Sequence, residues 1–502
     1  MFKNILKPFL TYGFGSVTEA ALNFILLPLY LRYFEPSEYG IISLLLVVST
    51  LISSLANIGI STVMYRFYYE IDEGGRKKLV STAWFWYLLS AVFIGIALYI
   101  FSGSISHLLF QSIDYSYTIQ VVSGVIFFSM LRVVPFNILR MEKRAGLYVG
   151  LSLLSLGINF GLKLCFIVFL KRGIEGYFES SLITNFLLLC LIVPSIIKYV
   201  SYSVNISYLK QLLRLGFPYI FSSISIWTLE FSDRLMLNHF RGEAAVGIYS
   251  LAYSFANLFV VFLLNPSALF WHPYFFSKNA ERTQEEIKSL LNKSLRYFFI
   301  ISCFLYLIIS LGSEDVLRII TLLFGAKEEY LQSVSLIPLL ALGPFFYILS
   351  RQATNALLVG KKTGYGAIAG CSAAVLNVGL NFIFIPMLGT IGAAITTVLA
   401  YILFDAICYW WAQRLWPVHH DWKGISISLF FMAAAFVVSW QIAIKQPWIS
   451  LFVKLASGLS IFGLGIWFIS NIFTREERQI IITNVYKRKE FIKGIVSRFY
   501  AI

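Results

Sequence analysis

Three charged residues stand close enough together to do chemistry as a group. Glu230 and Arg234 are four apart with the acid on the N-terminal side, the favourable order for an ion pair along a helix. Asp233 shares their face, one turn from Glu230. The bland reading is a self-satisfied trio, with Glu230 and Arg234 as a structural ion pair. The functional reading is that two acids sharing one guanidinium leave one carboxylate to bind a coupling proton or Na⁺. Glu19 and Asp405 are further acids in apolar surroundings, and Arg132, Lys163 and Arg351 are cations in similar settings. Asn159 with Lys163, and Asn377 with Asn381, are pairs four apart that each project from one helix face. Hydrogen bonds to neighbouring helices are the bland use of such asparagines.

Other patterns carry less. His419-His420-Asp421 is a lone cluster that reads as a solvated turn, and no metal site is expected. Gly360-Lys361-Lys362-Thr363 lacks the glycine that a P-loop needs five positions before Gly360, where Asn355 stands. No Ser/His/Asp or paired-carboxylate arrangement stands out, so neither an enzyme nor an ATP-driven machine is expected.

The elements that must position these groups belong to lipid. Of 502 residues, 58% are hydrophobic and 13% charged, and the mean hydropathy is +0.77. A soluble domain carries about 25% charged residues. A spanning helix needs about 20 mostly apolar residues. Fourteen stretches qualify: 9–33, 38–66, 80–101, 117–139, 147–170, 177–199, 215–240, 246–276, 294–312, 331–358, 364–386, 391–413, 424–444 and 449–472. The fold expected is an all-α polytopic membrane protein. The five cysteines (Cys165, Cys190, Cys303, Cys371, Cys408) fall in apolar stretches and read as buried free thiols.

Lysines and arginines set the orientation. With both termini cytoplasmic, 28 of the 40 fall in inner segments, seven in outer segments and five within spans. Basic loops facing anionic lipid account for the net charge of +15 without nucleic acid. Lys454 lies five residues from the outer end of its span and can snorkel, so it is given no role. The outer connection from Gly312 to Tyr330 is too short for an extracellular catalytic domain, and Ser277–Lys293 reads as a polar helical extension.

The two halves echo each other. Tyr39–Leu44 matches Val246–Leu251, Asn159–Lys163 matches Asn377–Asn381, and Gly173–Gly176 matches Gly389–Gly392, at offsets of 207, 218 and 216. The repeat therefore holds six spans. An even number gives both copies the same orientation, hence two parallel-repeat six-helix lobes plus two extra helices. The divisions are 1–205 (first lobe), 206–416 (second lobe), 417–472 (extra pair) and 473–502 (basic tail).

Two stretches carry a resemblance. Leu213-Arg-Leu-Gly216-Phe-Pro218 … Leu229-Glu-Phe-Ser232-Asp233-Arg234, followed by Val246-Gly-Ile-Tyr249-Ser-Leu-Ala-Tyr253, is similar to the second-lobe opening of oligosaccharide flippases. So is Leu376-Asn377 … Leu380-Asn381 … Ile385-Pro386 … Gly389-Thr-Ile-Gly392-Ala393-Ala394. These are polysaccharide-unit exporters of the multidrug/oligosaccharidyl-lipid/polysaccharide (MOP) superfamily, and the similarity covers essentially the whole chain. It implies a flippase for undecaprenyl-diphosphate-linked oligosaccharide, working by alternating access between the leaflets of a prokaryotic plasma membrane. Membrane lipids and other polysaccharide-assembly membrane proteins are the implied partners. In related flippases the extra helix pair forms a groove for the polyprenyl tail, so 424–472 are the candidates here.

A diphosphate demands cations, and guanidinium groups match its oxygens bidentately. On that reading Arg132, Lys163 and Arg351 line a space between the lobes. Glu19, Asn159, Asn377 and Asn381 complete the substrate-binding set, while Glu230, Asp233 and Asp405 serve the coupling ion. Two alternatives remain. A drug or metabolite antiporter of the same superfamily would have a net negative cavity, and four acids against four cations leave the sign open. A membrane-embedded glycan polymerase would need a large outer catalytic loop. Equivalent faces in a parallel repeat predict that the two polar pairs either both line the cavity or are both buried. If they line it, Lys163→Gln abolishes export while Asn381→Gln is mild.

Overall fold

The computed structural model describes residues 24–201, 203–265, 283–359, 362, 364–415, 417–418, 420–468 and 479. Glu19, His419 and nearly all of the tail lie outside the described residues, as does the side chain of Arg351.

All regular structure among the described residues is helical. The first lobe comprises α1 (Phe24–Tyr33), α2 (Pro36–Asn57), α3 (Ile60–Tyr68), α4 (Glu73–Ile100), α5 (Ser102–Phe110), α6 (Ser116–Leu131), α7 (Val133–Met141), α8 (Ala145–Lys163) and α9 (Gly173–Ile192). A π-helical segment, Leu164–Phe169, continues α8. The second lobe comprises α10 (Ile206–Arg241), α11 (Glu243–Ala256), α12 (Gln284–Phe324), α13 (Ile337–Val359), α14 (Gly364–Leu388) and α15 (Thr390–Leu415), followed by the pair α16 (Trp422–Trp440) and α17 (Pro447–Phe468).

Twelve of the described helices or joined pairs are long and apolar enough to cross a membrane, or thirteen if the segment Glu328–Ser335 and the start of α13, bent by 48°, count as one. The remaining expected span, 9–33, is described only from Phe24. Span 38–66 ends early. Gly59 sits at φ 68° and separates α2 from α3. Thr283 and Glu286 form a reciprocal cap that starts α12 in the expected polar extension.

Packing follows the repeat. In the first lobe α4 lies on α6, α6 on α9 and α9 on α8; in the second, α12 lies on α13, α13 on α15, α15 on α14 and α14 on α10. The pair α16–α17 packs on α12. The lobes meet mainly through α2 and α11. A Cβ on Gly40 would stand 1.9 Å from the Glu243 carbonyl oxygen, and one on Gly247 would stand 1.8 Å from that of Pro36. The hydroxyls of Ser43 and Ser250 are 2.7 Å apart, at a sequence separation of 207. Each partner is the other's repeat mate, so equivalent surfaces meet as across a two-fold axis. The helices run in the same direction, so that axis lies along them. The outer turns match as well: Gly173 and Gly389 have φ 56° and 62°. Gly176 packs on the Phe166 carbonyl as Gly392 does on that of Phe384.

Three expectations are corrected here. Lys454 does not snorkel; it is 3% exposed, with its Nζ 2.9 Å from Glu314 and 3.4 Å from Asp315. Those paired acids allow α12 to continue to Phe324 through what the sequence suggested was a loop from Gly312. The cysteines are free, but Cys165, Cys190 and Cys371 are exposed on helix surfaces and only Cys303 and Cys408 are buried.

Candidate functional site

A break in the fourth predicted span opens a polar cavity in the first lobe. Pro135 has no N–H to offer the carbonyl of Leu131, one turn back. The indole Nε1 of Trp84 takes that carbonyl instead, at 2.9 Å. The helix breaks at Arg132, between α6 and α7. Arg132 thereby lines a cavity of about 600 Å³ enclosed by α6, α7, α8 and α9.

Each wall is one helical stripe. Ser129, Arg132, Phe136, Asn137 and Arg140 come from α6 and α7 with the intervening break. Tyr148, Ser152, Ser155 and Asn159 come from α8, and Ser181, Thr184 and Asn185 from α9. Arg132 and Arg140 are the charged residues in this lining, which holds no carboxylate. Arg140 donates to the Tyr148 hydroxyl and lies over its ring. Asn137 donates to Ser61 at 3.1 Å, and Asn159 donates to Thr184 at 3.2 Å. The wall thus offers two guanidiniums beside hydroxyls and amides, a lining suited to a polar anion. The sequence reading found Arg132 and Asn159 but missed Arg140, Asn137 and Asn185. Their signal was available: polar residues at 129, 132, 137 and 140 and at 181, 184 and 185 recur with helical spacing inside apolar spans.

Lys163 is not in the lining. One turn beyond Asn159, it is 6% exposed, with Nζ 3.0 Å from the Tyr30 hydroxyl and 3.8 Å from the Tyr177 ring centre. The long side chain is caged between α1 and α9 instead of reaching a space between the lobes. Arg132 also faces a cavity within its own lobe. Neither residue occupies the interlobe position that the sequence suggested.

The second lobe uses the matching positions differently. Asn377 and Asn381 are fully buried. Asn377 accepts from Ser232 at 3.2 Å and from Asn381 at 3.1 Å, and Thr396 donates to Asn381. Asn159 borders open volume while its mate is sealed, so the two faces are not equivalent surfaces. The Glu230–Arg234 ion pair is also absent. Arg234 donates to the backbone carbonyl of Glu230 at 2.6 Å, and its guanidinium lies 3.8 Å from the Asp233 carboxylate. Asp233, 1% exposed, also accepts from Tyr249 and from Thr397 at 3.3 Å. Carboxylate, amide and hydroxyl oxygens suit a proton or a hard cation, not a thiophilic metal. No group of three His, Cys, Asp or Glu with metal-holding geometry occurs among the described residues. Asp405 stands eight residues beyond Thr397 on α15, about 12 Å along the axis and away from this cluster.

Comparison with known proteins fits this geometry. Residues 31–335, more than half of the chain, match the family described as polysaccharide biosynthesis protein. An uncharacterized membrane protein of Methanocaldococcus jannaschii is 26% identical over 279 residues, 54% of this chain and 50% of that protein. The chain thus spans about half the length of the curated relative it matches. The lipid II flippase MurJ, in an inward closed conformation, superimposes with a TM-score of 0.70 at 17% identity, covering 92% of this chain and 97% of that one. An inward-facing multidrug resistance transporter of the MATE family and MOP superfamily gives 0.61 at 19% identity, over 82% and 93% of the two chains. A MOP superfamily transporter from Pyrococcus furiosus, described with a reversed polarity of its binding pocket, gives 0.59 at 17% identity, over 81% and 95%. At such identities the structural likeness shows the fold, a MurJ- and MATE-like bundle. With the family match over residues 31–335, the chain belongs to the family described as polysaccharide biosynthesis protein.

Proposed function

We propose that the protein flips an undecaprenyl-diphosphate-linked oligosaccharide unit from the inner to the outer leaflet of a prokaryotic plasma membrane, with both termini cytoplasmic. The first-lobe cavity receives the diphosphate and its sugars. The observation that carries this reading is the sign of the lining: two guanidiniums and no carboxylate. A cationic drug would meet like charge there, whereas phosphate oxygens match guanidinium donors. The hydroxyl and amide stripes supply partners for sugar hydroxyls. The polyprenyl tail stays in lipid, along the α16–α17 pair.

Uphill transport needs a second charge to move. Asp233 is the group assigned here to carry a proton or Na⁺, because it lies inside a buried oxygen-rich cluster with the Arg234 guanidinium 3.8 Å away. Glu230, one turn earlier, is its reserve. Alternation of the lobes about the α2–α11 contact exposes the cavity to each side in turn.

Reconstitution into liposomes tests the reading. A fluorescent polyprenyl-diphosphate glycan should become accessible to an enzyme on the opposite face at least ten times faster with the protein than without it. Export of a cationic dye, with no movement of the glycolipid, would replace the proposal with the antiporter reading.

A further inference from the structure

We propose that Lys327 and the segment Glu328–Ser335 form a latch that holds the lobes shut at the α1–α2 turn and releases each time that face opens. That face is the outer one in the orientation given above, and the proposal rests on the alternating-access reading. α1 ends at Tyr33, and a helix end leaves its last carbonyls without partners in the helix itself. Here the second lobe supplies them. The Lys327 backbone N–H donates to the Leu31 carbonyl at 3.1 Å, and the Tyr330 hydroxyl donates to that of Phe34 at 3.2 Å. The Lys327 ammonium pairs with Glu35, where a cation also favours the negative end of the α1 dipole. The Tyr330 ring, 1% exposed, meets that of Tyr39 edge-on at 6.2 Å. These donors belong to the second lobe by packing, because their segment lies on α11, α12 and α13.

The bonds are of a kind that water can replace. Two of them end on backbone carbonyls at a turn, and both members of the Lys327–Glu35 pair are partly exposed. When the lobes part, water takes over these groups and none is left buried and unpaired. A seam of interlocked apolar side chains allows no such exchange. The repeat-related corner is tied differently: the Asn238 amide of α10 donates to the Leu109 carbonyl near the end of α5. One side-chain amide stands there where an ammonium, a backbone N–H and a hydroxyl stand here. The hold is therefore concentrated at residues 327 and 330, where substitution can loosen it.

The test uses the full chain in liposomes with Ser250→Cys as reporter, because position 250 lies in the α2–α11 seam and is 6% exposed. A membrane-impermeant maleimide is added outside, and its attachment at position 250 is followed by mass spectrometry. Lys327→Ala with Tyr330→Phe should speed labelling about tenfold, the combined worth of a partly exposed ion pair and one hydrogen bond. Glu35→Lys alone should speed it as well, and adding Lys327→Glu should slow it again. A disulfide between Glu35→Cys and Lys327→Cys should slow labelling below the parent's rate. It should also cut glycolipid flipping at least tenfold until it is reduced, and leave calorimetric binding of geranyl diphosphate, a short-tailed stand-in for the head group, unchanged. Parent-rate labelling in the double variant overturns the latch, as does fast labelling in Glu35→Lys that the reversed pair fails to slow, or parent-rate flipping in the cross-linked protein. A parent that flips no polyprenyl-diphosphate glycan overturns the proposed substrate instead; the labelling arms need no substrate and still decide the latch.

Discussion

The two lobes descend from one repeated pattern yet treat its polar positions in opposite ways. In the first lobe Asn159 borders open volume, Arg132 and Arg140 face into it, and Lys163 is boxed in by Tyr30 and Tyr177. In the second lobe Asn377, Asn381 and Thr396 bond in a chain while Asp233 accepts from Tyr249 and Thr397, with almost nothing exposed. The pairing of helices is shared; the fate of the interior is not. A helix break next to Pro135 and serines at 152 and 155 leave the first lobe hollow, whereas small residues such as Ala373, Ala393 and Ala394 let α14 and α15 draw together in the second. On the proposed function, one lobe holds a large polar ligand and the other something as small as a proton or a cation.

Substitutions can break or sharpen this contrast. The largest effect should follow Asp233→Leu, which strands the buried Arg234 without its acid. Losing one partner of a buried pair costs about 3–5 kcal/mol, so the detergent-solubilised protein should melt many degrees lower. An unchanged melting curve would mean the second lobe is not held by this cluster. Next comes Gly247→Ala. Its Cβ meets a backbone carbonyl that cannot rotate aside, so α2 and α11 must separate at a cost of about 1–3 kcal/mol. A Ser43→Cys/Ser250→Cys pair should cross-link readily in the parent and poorly in this variant; equal cross-linking would show that the contact is not the lobes' seam.

Arg140→Gln should act on the first lobe alone. Removing a charge-assisted bond worth about 1.5–3 kcal/mol weakens geranyl diphosphate binding by roughly 10–100-fold. Melting should barely move, because Arg140 is exposed to the cavity. A stability loss matching that of Asp233→Leu would make Arg140 structural. The smallest effect should be that of Lys163→Gln, which removes a cation–π contact worth about 0.5–2 kcal/mol. It should lower stability slightly and leave anion binding intact. A loss of anion binding equal to that of Arg140→Gln would return Lys163 to the site.

The sequence alone determined what depends on composition and period. Lipid leaves backbone groups no partner but their own helix, so apolar runs of spanning length dictated helices. The echo of Tyr39–Leu44 in Val246–Leu251 announced a parallel repeat, and the same offset of 207 returns as the Ser43–Ser250 contact. What it could not decide is which way a polar group on a spanning helix faces. Lys163 and Arg132 look alike as isolated cations in apolar runs. Only the tyrosines brought from residues 30 and 177 cage the first, and only the break before Pro135 opens space for the second. Glu230 stands at ideal spacing from Arg234, but the guanidinium turns to that residue's carbonyl and to Asp233. Lys454 looked solvated until Glu314 and Asp315, far away in the chain, came beside it. In each case the decision lay with a partner on another helix. Periodicity along one helix places a side chain on a face, but what that face meets is settled only by packing.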